Sequence, residues 1–279
     1  MKNIIVVGYP KSGNTWLRGV VADLVGCPTA GFLGNANRLL EDNPEMTEEF
    51  RCFKSHLQLH ELKLDRANKN GENHVIYAIR DPRDVAISGA HYFQFHRLPW
   101  LQEHLNKLWQ GHILYRAIYP MVSSEEFRIN QMIEAVLYGS RDVHRYCCTS
   151  WQLHYQPFME AGHLFVRYED MLENPKNECK RILNYLNLDR TDALIEQVID
   201  QNSFARKRKA FLKKGKRWNV KFLRSGTQGQ WRNKLSHSQK IRFIDLLFND
   251  LKKLSYVTDE DSRRFNSLDR FWCLPRVHK

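Results

Sequence analysis

The sequence predicts an α/β fold: a single domain with a central parallel β-sheet flanked by helices, and a P-loop-like anion loop after the first strand. Two observations carry this. The runs Ile4–Val7 and His74–Ile79 are short, apolar and rich in β-branched residues, as strands buried on both faces are, and helical periodicity separates them. The first run ends at Gly8-Tyr-Pro-Lys-Ser-Gly13 and passes directly into helix-forming sequence.

The elements follow in order. A helix is expected from about Asn14, with Trp16, Leu17, Val20, Val21 and Leu24 on one face and Gly26 and Pro28 as its stop. Residues 29–50 are polar and read as loop or short helix. Residues 51–53 form a short strand leading into Lys54-Ser-His56, and 57–73 read as a helix and polar turn. After the strand at 74–79, Asp81 caps a helix with Pro82 in its first turn, running to about His96. Residues 97–150 carry helical patterns and many aromatics, followed by a helix over about 140–160. A further strand spans His163–Arg167, and helices lie after it, near 191–201 and over 236–253. The domain is read as 1–255, with a helical cap insertion at 97–150, a basic segment at 206–230 and a polar tail at 256–279.

The chain has 279 residues and a net charge of +12, and its 42% hydrophobic and 27% charged residues exclude wholesale disorder. The excess charge is concentrated. Residues 206–224 read RKRKAFLKKGKRWNVKFLR, and without them the net charge falls to about +2. An anionic partner is therefore expected, and this segment is where to look for its contacts. No apolar run approaches the roughly 20 residues of a membrane span, and the N-terminal run is too short for a signal-peptide core, so a cytoplasmic protein is expected. The six cysteines show no CxxC spacing and the twelve histidines no zinc pattern, so no metal is expected.

Four segments carry chemistry. Gly8–Thr15 places backbone N–H groups and a helix N-terminus toward a ligand, an anion site. Its glycine spacing matches the Walker A loop, but Asn14 stands where that loop needs lysine, and the lysine lies inside the loop at Lys11. Arg80, at a strand end, and Ser88, two turns into the next helix, suit a phosphate. Lys54 and His56, two apart at another strand end, form a plausible charge-stabilising and acid/base pair. Residues 224–233 read RSGTQGQWRN and close the basic stretch with two glycines and an arginine.

Together these motifs resemble the soluble, cytosolic-type sulfotransferases that use 3′-phosphoadenosine 5′-phosphosulfate (PAPS). YPKSGNTW resembles that family's YPKSGTTW loop, FKSHL its KTHL segment, RDPRDVAIS its RNPxDxxxS segment, FVRYEDMLENP its strand with YEDM and NP, and RSGTQGQWRN its late RKGxxGDWKN loop. The motifs run in the family's order over roughly residues 4–240.

The resemblance implies a sulfotransferase fold with a phosphosulfate loop. Lys11, Ser12, Gly13, Asn14 and Thr15 would bind the 5′ end of the nucleotide and Trp16 would lie near the adenine. Arg80, Ser88, Arg224, Ser225 and Gly226 would hold the 3′-phosphate, Tyr168 would contact the adenine, and Asn202 and Phe204 would touch the nucleotide. Catalysis would fall to His56 as general base, with Lys11 and Lys54 stabilising developing charge and no metal required. Ser225 replaces a lysine and Gln230 an aspartate of the family pattern. The usual dimer segment is absent, residues 232–241 occupying its place, which leaves the oligomeric state open.

The implied activity is transfer of the sulfuryl group of PAPS, with PAP as product, to a hydroxyl or amine of a small-molecule acceptor such as a specialised metabolite. The acceptor site is expected from loop residues around 29–50 and the aromatic segment 92–140. The other readings are a P-loop kinase or phosphotransferase, sulfation of a glycan or peptide, and a nucleic-acid or heparin binder using residues 206–224. The last leaves the other motifs unexplained, so no nucleic-acid partner is expected.

Overall fold

The computed structural model describes residues 2–33, 49–62, 64, 73–93, 124–213 and 226–257. Five strands, β1 (Lys2–Val7), β2 (Thr29–Leu33), β3 (Phe50–Ser55), β4 (Asn73–Ile79) and β5 (Leu164–Arg167), form one sheet in the order β2-β3-β1-β4-β5. Every neighbouring pair is parallel. Ile4, Ile5, Val6 and Val7 of β1 and Val75, Ile76, Tyr77 and Ile79 of β4 are fully buried, as central strands with both faces covered must be. Each such aliphatic side chain contributes about 1.5–3 kcal/mol on leaving water.

One face of the sheet packs on α1 (Asn14–Val25), α6 (Pro175–Tyr185) and α7 (Asp192–Gln201). Leu17, Val21, Leu24, Cys179, Ile182, Ile195 and Val198 from these helices share a core with Ile4, Val6, Cys52 and Ile76. On the other face α4 (Trp151–Glu160) brings Phe158 to within 5.0 Å of the Tyr77 ring. There too α2 (Pro82–Tyr92) packs on α3 (Glu125–Tyr138), with Met132 seated against Gly89. The remaining helices among the described residues of this part are α5 (Tyr168–Glu173), α8 (Phe204–Lys213) and α9 (Trp231–Lys234).

The chain divides into two compact units, 1–234 and 235–279. The described part of the second is built on α10 (His237–Lys253), which opens with a capping box between Ser236 and Gln239 and buries Phe243, Leu247 and Leu251 at i, i+4, i+8.

Several boundaries differ from the expectation. Residues 29–33 are an edge strand, not loop; the run Thr-Ala-Gly-Phe-Leu has no apolar alternation, and its extended form comes from pairing with β3. The helix after Asp81 ends at Tyr92, where Phe93 turns extended (φ −79°, ψ 154°). The helix expected over 140–160 is a 3₁₀ turn at Arg145–Cys147 followed by α4, because Ser150 caps a new start through Leu153 N–H. Within 57–73 the described residues form a 3₁₀ turn at Leu59–Glu61. Residues 94–123, which include the first half of the expected cap, and the tail from 258 lie outside the described residues.

Candidate active site

Parallel pairing aligns the carboxyl ends of β3, β1 and β4, with Val7 opposite both Ser55 and Tyr77. The residues that follow these strands therefore meet in one crevice, the usual ligand position in open α/β sheets. Gly8 is obligatory there, since a Cβ would collide with the Ala78 carbonyl oxygen. The loop then turns through two left-handed residues, Lys11 (φ 73°) and Gly13 (φ 93°). The first carries a side chain, a strain of roughly 1–3 kcal/mol. Gly13 caps α1 without any side-chain bond to the helix N–H groups, and a Cβ on it would lie 2.7 Å from the Tyr168 ring. Ser12 is buried, and its Oγ has no partner among the described residues.

Asn14 gives the departure from the Walker pattern a structural use. Its Nδ2 donates to Gly8 O at 2.9 Å and to Ser55 O at 3.2 Å, stapling the loop to the end of β3. The side-chain donors expected to face a nucleotide are thus committed to the protein, leaving a buried, unpartnered Oδ1.

The Gly8 carbonyl also lies 2.7 Å from His56 Nδ1. A carbonyl can only accept, so Nδ1 carries the proton and Nε2 is the basic nitrogen. Burial, then the nearby Lys54, hold the His56 pKa well below its usual value, so the ring is neutral at pH 7. Lys54 Nζ donates to Thr15 Oγ1 at 2.9 Å, and burial together with the charge of Arg18 pushes its ammonium down to about 8. The Lys11 ammonium stands 3.8 Å above the Tyr92 ring, a cation–π seat on the last turn of α2.

Arg80 follows β4 and is buried. Its guanidinium stacks 4.2 Å over Tyr168, donates to Thr227 O at 3.1 Å, and keeps a buried Nε without a partner among the described residues. Asp84, one turn into α2, accepts from Gly229 N–H at 2.6 Å and Trp231 N–H at 3.0 Å. Arg83 forms a fork with Asp81 at 2.7–3.2 Å and stacks 3.6 Å over Trp231. These contacts draw the turn at 226–231 onto the start of α2. Ser88 lies half-buried farther along α2.

Trp16 meets Tyr168 edge-on at 5.4 Å, and its Nε1 donates to Asn202 O at 2.9 Å. The Asn202 amide is held by Asp23 at 2.7 Å, and its buried Oδ1 has no partner. Phe204 packs directly on Gly226. Arg224 and Ser225 lie outside the described residues. Of the expected ligands, Lys11–Trp16, Lys54, His56, Arg80, Tyr168, Asn202, Phe204 and Gly226 fall along the loop and strand ends or on contacts continuous with them.

Beside His56 opens a cavity of about 220 Å³ lined by His56, Gln58, Glu61, Arg145, Tyr146, Cys148, Thr149 and His154. The lining rings are themselves packed, His56 lying 5.6 Å from Phe32 and 5.7 Å from Tyr146, and Tyr146 5.3 Å from His144. Of the segments expected to form the acceptor site, 29–50 and 92–140, none of the described residues lines this cavity; Phe32 packs behind it on His56 and Tyr146, and the wall comes from 56–61 and 145–154. His154 went unremarked in the sequence. Its signal was there, a histidine set between Trp151, Tyr155 and Phe158 on a buried helix face. Asp84 was missed as an acid within a helix's first turn, where capping explains it equally well. Among the described residues no group of three or more His, Cys, Asp or Glu could hold a metal ion.

The profile of the sulfotransferase domain family matches residues 35–255. Sulfotransferase 1B1 of Canis lupus familiaris is 25% identical over 294 aligned positions, covering 92% of this chain and 84% of the relative. Sulfotransferase 1A1 of Rattus norvegicus is 26% identical, covering 86% and 81%. Among solved structures, a mouse sulfotransferase complexed with PAP superposes with a TM-score of 0.63 at 22% identity, over 90% of this chain and 85% of that one. Retinol dehydratase complexed with retinol and PAP gives 0.59 at 18% identity, over 90% and 81%.

Proposed function

The chain belongs to the sulfotransferase family, and from that premise we propose that it transfers the sulfuryl group of PAPS to a hydroxyl or amine of a small-molecule acceptor, with His56 as general base. Bound PAPS supplies an activated sulfuryl group whose departure leaves a phosphate oxygen. The residues present fit such an anion. Among the described residues Ser12 Oγ and Arg80 Nε are buried polar atoms without partners, Lys11, Lys54 and Arg80 supply cations at the same strand ends, and the N-terminus of α1 carries no side-chain cap.

In this reading the Ser12–Thr15 backbone and Lys11 bind the 5′ end. Arg80, Ser88 and Gly226, with Arg224 and Ser225, hold the 3′-phosphate. Tyr168, Trp16, Asn202 and Phe204 form the base-side wall. Lys54 and Lys11 stabilise negative charge growing on the leaving oxygen. His56 Nε2 takes the acceptor's proton.

The observation that carries the reading is the His56 Nδ1–H to Gly8 O bond at 2.7 Å. It ties the orientation and tautomer of the base to the same loop that would hold the donor nucleotide. The cavity beside His56, lined among the described residues by Tyr146, Arg145 and His154, gives an acceptor room to reach the ring. Among the described residues no helix is long and apolar enough to cross a membrane.

Thermal denaturation with nucleotides tests the donor. PAP at 100 times its Kd is expected to stabilise the protein by about 2.7 kcal/mol without Mg²⁺, and ATP is not. Stabilisation by ATP–Mg²⁺ and not by PAP would establish the phosphotransferase reading instead. Turnover of labelled PAPS against panels of hydroxylated and amine metabolites, glycans and peptides then identifies the acceptor class.

A further inference from the structure

We propose that His154 is a positioning residue for the catalytic base, holding the main chain at His56 through a relay anchored on Tyr77. The inference rests on the reading of His56 as general base.

His154 lies on α4 and is 1% exposed; Tyr77 lies on β4 and is fully buried. His154 Nε2 is 3.1 Å from the His56 carbonyl oxygen, and Nδ1 is 2.8 Å from the Tyr77 hydroxyl. The chemistry of the partners orders the protons. The His56 carbonyl has only lone pairs, so Nε2 must carry the hydrogen. Nδ1 is then the acceptor, and the Tyr77 hydroxyl donates to it. The chain runs Tyr77 O–H to His154 Nδ1, and His154 Nε2–H to His56 O.

Three aromatic rings flank the imidazole on the sides away from the cavity. Tyr9 meets it edge-on at 5.7 Å, Tyr77 lies at 5.8 Å, and Phe158 is stacked at 6.0 Å. Burial also pushes the His154 pKa down to about 4, so the imidazole stays neutral with both nitrogens occupied.

The consequence is felt at His56, which is gripped twice: its ring by Gly8 O and its main chain by His154. His56 sits just past the end of β3, where the ladder no longer fixes the backbone, so the second grip replaces the sheet. A displacement of about 1 Å at a reacting group can cost 10²-fold. His154 thus sets the height of Nε2 over the crevice without performing proton transfer itself.

Steady-state kinetics on H154L, H154Q, Y77F and H56A test this, with PAP thermal shifts measured alongside. H154L removes both bonds and is expected to lower kcat by about 30–100-fold, with the KM for PAPS and the PAP thermal shift nearly unchanged. H154Q, whose amide can donate to His56 O and accept from Tyr77, is expected to recover most of that loss. Y77F, which removes the donor to Nδ1 and leaves the bond to His56 O, should give an intermediate kcat.

The inference is overturned if H154L keeps kcat within about threefold of the parent, if kcat falls together with the PAP shift, or if H154Q is as poor as H154L. Should H154L not fold, Y77F decides: reduced kcat at unchanged PAPS KM supports the relay, and unchanged kcat refutes it. H56A separates the two readings. Near-normal turnover there removes the base itself, whereas a loss of about 10²–10⁴-fold in H56A beside an unaffected H154L refutes the positioning role alone.

Discussion

The Asp84 carboxylate accepts the Gly229 backbone N–H at 2.6 Å, joining the first turn of α2 to a loop 145 residues later. Its other oxygen takes the Trp231 N–H, and Arg80 lies at 3.9 Å from the same carboxylate. One buried acid therefore sets the spacing between the two segments assigned to the 3′-phosphate. Asp84→Ala would leave these donors without a charged acceptor, at a cost of roughly 1–3 kcal/mol. PAP affinity is expected to fall at least tenfold, with a smaller change in kcat at saturating PAPS. Calorimetric titration with PAP checks this, and an unchanged Kd would refute the clamp.

Gly13 has φ 93° and lies against the Tyr168 ring. Gly13→Ala combines left-handed strain of roughly 1–3 kcal/mol with a clash that displaces the tyrosine. Both stability and the PAP-induced rise in melting temperature should drop. A variant with the parental PAP shift would mean that this turn does not shape the nucleotide site.

Lys54 is an ammonium whose pKa burial and Arg18 push down to about 8. Its positive charge is present below that pH and lost above it. In the free enzyme kcat/KM for PAPS should therefore decline as pH rises through about 8. In the complex the nearby anion favours the charged form, so the decline in kcat should lie at higher pH. The acid limb, set by His56, should fall well below 6.5. Rate profiles over pH 4–10 test both limbs; a kcat/KM profile flat from 7 to 10 would exclude a charged Lys54 from the rate-determining step.

Glu169, buried with its carboxylate accepting from Asp81 N–H at 3.1 Å, has a pKa raised by burial to about 7 from an ordinary 4.5. The folded protein thus binds this proton more tightly than the unfolded chain. The associated stability is fully present below about pH 4.5 and is lost as pH rises to about 7. Glu169→Gln keeps an acceptor for Asp81 and does not titrate. Its melting temperature relative to the parent should increase from pH 5 to pH 8, and a pH-independent difference would show that Glu169 does not titrate in this range.

The strands were legible where burial is uniform. Ile4–Val7 and the stretch up to Ile79 admit little but a central strand, and Asp81-Pro82 marks a helix start by steric rule. Thr29–Leu33 was not, because an edge strand is defined by its neighbour's hydrogen bonds, which local composition does not encode. The break between Tyr138 and Trp151 escaped for a related reason. Gly139 ends one helix at φ 85° and Ser150 caps the next, and whether a serine caps a helix or continues it is decided by its hydrogen bond, here from Leu153 N–H.

The site divides the same way. Its contiguous parts, the loop from Gly8 to Thr15, Lys54 with His56, and Arg80, were visible because strand-end chemistry is local in sequence. The sequence alone therefore determined the fold class, the anion loop and the identity of the chemical groups. Which proton sits on His56, the inward turn of Asn14, the hold of His154 on the His56 main chain and the grip of Asp84 on Gly229 came only from the tertiary structure. Each depends on a hydrogen bond between segments 6 to 145 residues apart. Such bonds form only after parallel pairing has aligned the strand ends, and a linear pattern carries no record of their distance or direction.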